Sequence, residues 1–282
     1  MSTRGIKKQG VFSSTRQYAG GTMDELIKMT NEKESFRLYT WCYRETQEAW
    51  LEESEVESKR SEVTQVTWET EYEHEKPSGE DRAIMTEKVT LMFPPILGEV
   101  SGKPNHLYVF EKPSEGARYG IGVDWARKKD WTIIEVLRCD CDPMRVVAFH
   151  RTGRLPWPVM VGNFETLYEK YNLIDSETGK LLSVCNGLHD GTGLGDVIDG
   201  YLTVSVPGFI MVGRKRSDLL SEYISAVERE EIVSPLIQFM HGEHLYATID
   251  QVYGSDHLPD SVAAGALAYR AATLPADGGI SL

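Results

Sequence analysis

The chain has 282 residues, more than the roughly 100 to 200 of a usual domain, so one large domain with an accessory segment is expected. Its 41% hydrophobic and 26% charged residues exclude a disordered chain, and its apolar runs, such as Val204–Val212 broken by Pro207 and Gly208, fall far short of the roughly 20 residues that span a bilayer. The formal charge of −13, from 43 acidic and 30 basic residues, argues against a uniform attraction for phosphate. That excess is uneven: Glu45–Glu87 is dense in Glu, whereas Arg127-Lys128-Lys129 and Arg214-Lys215-Arg216 are compact basic triplets. The local sign within a Debye length of about 8 to 10 Å decides what a groove binds.

In chain order, Met1–Gln9 is basic but precedes no apolar stretch, so no secretory signal is read and an intracellular site is expected. Residues 1–44 contain an apolar-Ser-Ser-Thr stretch, Val11–Thr15, then a Gly-Gly turn and a helical pattern over Thr22–Thr30. Residues 45–112 read as an acidic linker with a small accessory element whose β-like pieces are Lys88–Phe93 and His106–Phe110. From residue 113 the texture becomes α/β. Strands are predicted at Tyr119–Asp124, Trp131–Leu137 and Arg145–Arg151, a helix over Pro158–Tyr171 from the spacing of Val159, Phe164, Leu167, Tyr168 and Tyr171, and a strand at Leu181–Leu188. A helical segment at Leu194–Leu202, a strand at Val204–Val212 and helices at Lys215–Glu230 and Pro259–Ala272 follow. The order β-β-β-α-β-α-β-α-α is that of an RNase H-like domain.

Three aspartates stand out. Asp124 closes the strand Gly120-Ile121-Gly122-Val123-Asp124, and Asp190 closes another in Leu188-His189-Asp190-Gly191-Thr192-Gly193, so both are expected at one sheet edge. Asp260 opens the last helix, where a carboxylate also complements the helix dipole. Ala263, Ala264, Gly265, Ala266 and Ala268 would let that helix approach the sheet closely and bring Asp260 toward the strand ends. Converged carboxylates raise one another's pKa and destabilise the fold unless a cation intervenes. Hard oxygen ligands suit Mg2+ or Mn2+, and two such ions about 3.5 to 4 Å apart serve phosphodiester hydrolysis. Asp130 and Asp256 are second-rank candidates for the same cluster, and His257 a weaker one. Cys42, Cys139, Cys141 and Cys185 make no disulfide framework, and the Cys139/Cys141 pair lacks partners at zinc-finger spacing.

Gly-Ile-Gly-Val-Asp124 with Asp130-Trp-Thr-Ile-Ile, His-Asp190-Gly-Thr-Gly-Leu-Gly and Asp260-Ser-Val-Ala-Ala-Gly-Ala-Leu-Ala resemble the three acidic motifs of the nuclease domain of viral DNA-packaging terminase large subunits, over residues 118–272. That family usually carries His-Asp-Asp at the last motif, whereas Leu258 and Pro259 precede Asp260 here. Gly10–Thr15 through Gly20–Glu25 resembles the end of the terminase ATPase, yet no G-x-x-x-x-G-K-[ST] occurs, so the ATP site is expected on another polypeptide or on a missing part. The resemblance implies an RNase H-like endonuclease in residues 113–282 that uses Mg2+ or Mn2+ to cut concatemeric double-stranded DNA at the start and end of packaging. Asp124, Asp190 and Asp260 would be its catalytic ligands, and Arg127, Lys128, Lys129, Arg214, Lys215 and Arg216 its DNA contacts. The packaging ATPase, portal and small terminase subunit are the implied partners, no membrane is implied, and the implied location is the host cytoplasm rather than the mature virion. A Holliday-junction resolvase or transposase-like nuclease of the same fold, and a non-enzymatic motor-docking module presenting Glu45–Glu87, are the competing readings.

Overall fold

A computed structural model describes residues 26–27, 29–30, 37–44, 52–63, 68–73, 82–126, 130–153, 155–193, 195–254 and 257–275. Val11–Thr15, most of Thr22–Thr30, the triplet Arg127, Lys128 and Lys129, and Asp256 lie outside the described residues. The chain divides into two compact units, Met1–Glu57 with Val66–Asp81, and Ser58–Gln65 with Arg82–Leu282. Helix α1, Glu53–Glu62, straddles the division. In the first unit a helical turn over Trp68–Tyr72 buries Trp68 against the rings of Tyr43 and Tyr72, at 4.9 and 4.8 Å.

The second unit holds α2 (Thr86–Met92), β1 (Glu99–Val100), β2 (His106–Val109), β3 (Arg118–Asp124), β4 (Thr132–Arg138), β5 (Met144–Thr152), α3 (Trp157–Tyr171) and β6 (Val184–Asp190). It continues with α4 (Gly195–Asp199), β7 (Gly208–Phe209), α5 (Arg214–Glu228), β8 (Ile232–Val233), β9 (Leu236–Ile237), α6 (Gln238–Tyr246), α7 (Ile249–Tyr253) and α8 (Asp260–Thr273). A seven-stranded sheet has the order β2-β5-β4-β3-β6-β7, with β8 beside β5. The meander β3-β4-β5 and β2 pair antiparallel, whereas β6 joins β3 in parallel and β7 joins β6 in parallel. Crossover helix α3 makes that parallel return possible.

The apolar runs of β3 and β4 sit in mid-sheet because helices cover both faces. On one face Ile121, Val123, Ile134 and Val136 pack against Met160, Val161, Phe164 and Leu167 of α3, whose spacing makes one apolar stripe. On the other, Ile133, Leu137 and Phe149 pack with Leu219, Leu220 and Ile224 of α5 and with α8, which is apolar almost all round and buried along nearly its whole length. Glu135, in mid-strand on this second face, is fully buried with neither carboxyl oxygen hydrogen-bonded, and burial pushes its pKa up to about 8, so it is a neutral acid at pH 7.

Two expected strands differ. Lys88–Phe93 belongs largely to helix α2, whose Val89 and Met92 share one buried face, a helical spacing. Val204–Val212 supplies only the two residues of β7: Pro207 has no N–H for a ladder and Gly208 weakens a strand. Residues 82–112, read from sequence as part of a linker, belong to the same compact unit as the sheet. Helices α6 and α7 had no counterpart in the sequence reading.

Helix α8 packs on β3 backbone to backbone. A Cβ added at Gly122 would lie 2.2 Å from the Ala268 nitrogen and 2.3 Å from the Ala264 oxygen, and one at Gly120 2.4 Å from both the Ala268 oxygen and the Ala272 nitrogen. These are backbone atoms that a rotamer change cannot move. Gly122→Ala should therefore destabilise by about 3 kcal/mol, whereas Gly162→Ala, in the interior of α3 with nothing near its Cβ position, should stabilise by about 0.5 to 1 kcal/mol. Urea unfolding of the two variants checks the contrast; equal effects would mean that α8 does not sit this close.

Candidate functional site

The site lies at one end of the central strands, and the sheet register sets it out. Asp124 pairs with Ile133, and Ile133 pairs with Arg151. Directly opposed residues of antiparallel strands project to the same face, so Asp124, Ile133 and Arg151 form one row on the α8 face. Val123 pairs with His189 in parallel, which puts Asp190 beside Asp124 on that same face. Pro259 then starts α8, and Asp260 in its first turn is held by its Oδ2, which accepts the Trp131 N–H at 2.8 Å. Asp190 Oδ1 accepts the Thr192 N–H at 2.7 Å, a local turn that fixes the carboxylate.

Electrostatics show how far the expected residues are drawn together. Burial, followed by the charges of Asp260, Asp190, Glu243 and Asp130 in that order, pushes the Asp124 carboxyl well above the usual carboxylate range. Burial, with Glu243 and Asp130 adding, pushes Asp260 up to about 6 despite the Trp131 N–H and His257. Asp190 is also raised by burial, against the two bonds from Thr192. Asp130 is exposed and stands 3.3 Å from His257. Of the second basic triplet, Arg214 and Lys215 are exposed, while Arg216 donates to the carbonyls of Gly254 and Gln251 at 2.8 and 2.6 Å.

Sequence reading missed Glu243. It projects from α6, its Oε2 accepts the Ser261 N–H at 2.7 Å, and it thereby caps the start of α8 beside Asp260. Burial raises its pKa, against the Ser261 N–H and the charges of Arg151 and His257. Helix α6 has a weakly patterned sequence, Gln-Phe-Met-His-Gly-Glu-His-Leu-Tyr, and no local spacing ties Glu243 to the aspartates. Asp130, Trp131, Phe239, Glu243, His257 and Asp260 line a cleft of about 440 Å³.

The donor set fits hard divalent cations: all-oxygen carboxylates raised in pKa chiefly by burial, with neighbouring acids adding at Asp124 and Asp260. Among the described residues, however, no three His, Cys, Asp or Glu side chains are grouped so as to enclose an ion as they stand.

A mixed sheet with α3 on one face and α5 and α8 on the other, and acids at the ends of β3 and β6, defines the RNase H-like class. Within it the chain is similar to the large terminase nuclease from thermophilic phage G20c, at 18% identity over 66% of this chain and 96% of that chain, with a TM-score of 0.50. Structures of that nuclease with bound magnesium (19% identity, 66% and 95% covered, TM-score 0.50) and bound zinc (19%, 66% and 96%, 0.51) are similar to it as well. The fold of this chain is that of a phage large-terminase nuclease domain. No protein-family model and no curated protein matches the chain. Among the described residues no helix is long and apolar enough to cross a membrane.

The raised Asp260 sets a pH dependence. Its folded pKa of about 6 exceeds the ordinary 3.8, so the folded state holds the proton more tightly and stability is lost as pH rises from about 4 through 6. Asp260→Asn, which keeps an oxygen to accept the Trp131 N–H, should gain on the unsubstituted protein by a few kcal/mol, roughly 2 to 3, between pH 4 and pH 8 without divalent ions. Urea titrations at the two pH values measure the gap; one that stays constant contradicts the strained cluster.

Proposed function

We propose that this chain is the metal-dependent nuclease part of a phage DNA-packaging terminase, cutting concatemeric double-stranded DNA when packaging begins and ends. The observation that carries the reading is the placement, on a terminase-nuclease fold, of Asp124 at the end of a central strand with Asp190 on the adjacent parallel strand and Asp260 at the start of the helix packed across both. Asp124, Asp190 and Asp260 would hold Mg2+ or Mn2+, two ions in all, with Asp130 and Asp256 as outer candidates and Glu243 adding its charge beside Asp260. When bound, such ions lower the pKa of an attacking water and stabilise the leaving oxygen.

The chain's own groups do the positioning. The Trp131 N–H aims Asp260, the Thr192 N–H aims Asp190, and the Ser261 N–H aims Glu243, so the acids are oriented before any ligand arrives. Behind the strand ends, Trp125 Nε1 donates to the buried His189 Nδ1 at 3.2 Å, which leaves Nε2 to donate to the exposed Asp199 Oδ1 at 3.1 Å; the first of these bonds ties the end of β3 to β6 directly behind Asp124 and Asp190. Arg127, Lys128 and Lys129, following Asp124 in the chain, and Arg214, Lys215 and Arg216 would serve the DNA backbone. Phosphate contacts carry no base information, so cutting would be largely independent of sequence. The reading brings with it a packaging ATPase, portal and small terminase subunit as partners, and the host cytoplasm as location.

Supercoiled plasmid with Mg2+ or Mn2+ tests it. The protein should produce nicked and linear DNA, and Asp190→Asn should fall to the level of the unsubstituted protein treated with EDTA. Undiminished cutting by Asp190→Asn would sink the reading.

A further inference from the structure

Arg151 ends the same row of side chains that begins with Asp190 and Asp124. Its guanidinium lies 4.6 Å from the ring centre of Trp131 and 4.0 Å from that of Phe239, and both rings are walls of the acidic cleft. Gly153 leaves the space in which the Trp131 ring lies, since a Cβ there would meet it at 2.7 Å. The same Trp131 binds Asp260 through its N–H, so a single residue fixes both the acid and the cation's platform.

The other arginines near the sheet are committed. Arg138 and Arg145 pair with Glu111, Arg229 with Glu231, Arg270 with Glu222, and Arg216 with two carbonyls. The Arg151 side chain makes no hydrogen bond or ion pair among the described residues, and its Nε is buried without a partner. Glu243 attracts it through space, but is hydrogen-bonded to Ser261 instead. A planar cation stacked on two rings, with its terminal N–H groups unpaired among the described residues and a row of acids beside it, suits a ligand that offers paired anionic oxygens and must approach those acids. A phosphodiester does. A free carboxylate ligand would meet the repulsion of the acids without supplying a bond for them to cleave.

We propose that Arg151, clamped between Trp131 and Phe239, grips a backbone phosphate of the DNA and sets the strand over the carboxylates. The assignment rests on the nuclease reading and answers how so acidic a chain holds DNA at its most acidic point: one oriented guanidinium acts where a diffuse positive field is lacking.

The test is binding of a fluorescent 30-base-pair duplex across a salt series, with Ca2+ replacing the active ion, for the unsubstituted protein, Arg151→Gln and Arg151→Lys. Arg151→Gln should bind about ten- to a hundredfold more weakly, and its log K against log salt slope should flatten by about one unit. Arg151→Lys should keep the slope and lose part of the affinity, because a point charge lacks the fork. Mn2+-induced stabilisation, read by thermal melting, should persist in both. If Arg151→Gln keeps the slope while its melting temperature or Mn2+ response falls, Arg151 merely balances Glu243 and the proposal is overturned. Loss of plasmid cutting in Asp190→Asn alongside an unaltered Arg151→Gln overturns this assignment alone, whereas an unsubstituted protein that neither binds nor cuts DNA overturns the nuclease reading with it.

Discussion

The backbone of α8 lies directly on Gly120 and Gly122, and the rest of the site depends on that contact. Side chains normally hold a helix well off a sheet; here the glycines of β3 and the alanines of α8 remove them, so the first turn of the helix arrives where β3 ends. Asp260 is thereby brought to Asp124, and the cost of the approach is repulsion between desolvated carboxylates. The large buried surface of α8, packed also on α5 and α6, offsets that repulsion, so Asp260 is placed by a well-packed helix rather than by a loop.

Charge works at two scales. The formal −13 is a property of the whole chain and its density lies in Glu45–Glu87, while the site is governed by groups within a few ångströms. There Asp260, Asp190 and Glu243 are oriented by N–H donors from Trp131, Thr192 and Ser261, which lower their pKa, but burial prevails and leaves them and Asp124 all raised, with neighbouring acids adding at Asp124 and Asp260. A cluster in that condition favours any cation it can admit. Arg151 and His257 supply part of that relief at the rim, and neither is hydrogen-bonded to Asp124.

Much of this was legible in the sequence. The meander, the crossover helix and the small-residue helix are written in apolar runs, in 3.6-residue spacing and in Ala-Ala-Gly-Ala, because those patterns reflect burial that is local to each element. Asp124 and Asp190 could be seen at strand ends for the same reason. Glu243 and Arg151 could not: each meets the aspartates only through tertiary packing, one from α6 and the other three strands across the sheet from Asp190. Helix α2 was misread as a strand because seven residues hold barely two helical turns, and β7 was overextended because its apolar run is broken by Pro207 and Gly208.

The metal-holding role proposed for Asp124, Asp190 and Asp260 is open to direct measurement. Crystals of the protein soaked in Mn2+ and measured at the manganese absorption edge test it most directly. The account predicts anomalous density between Asp124, Asp190 and Asp260, with the three carboxylates drawn inward onto it. Well-ordered carboxylates with no anomalous density between them at millimolar Mn2+ would contradict it.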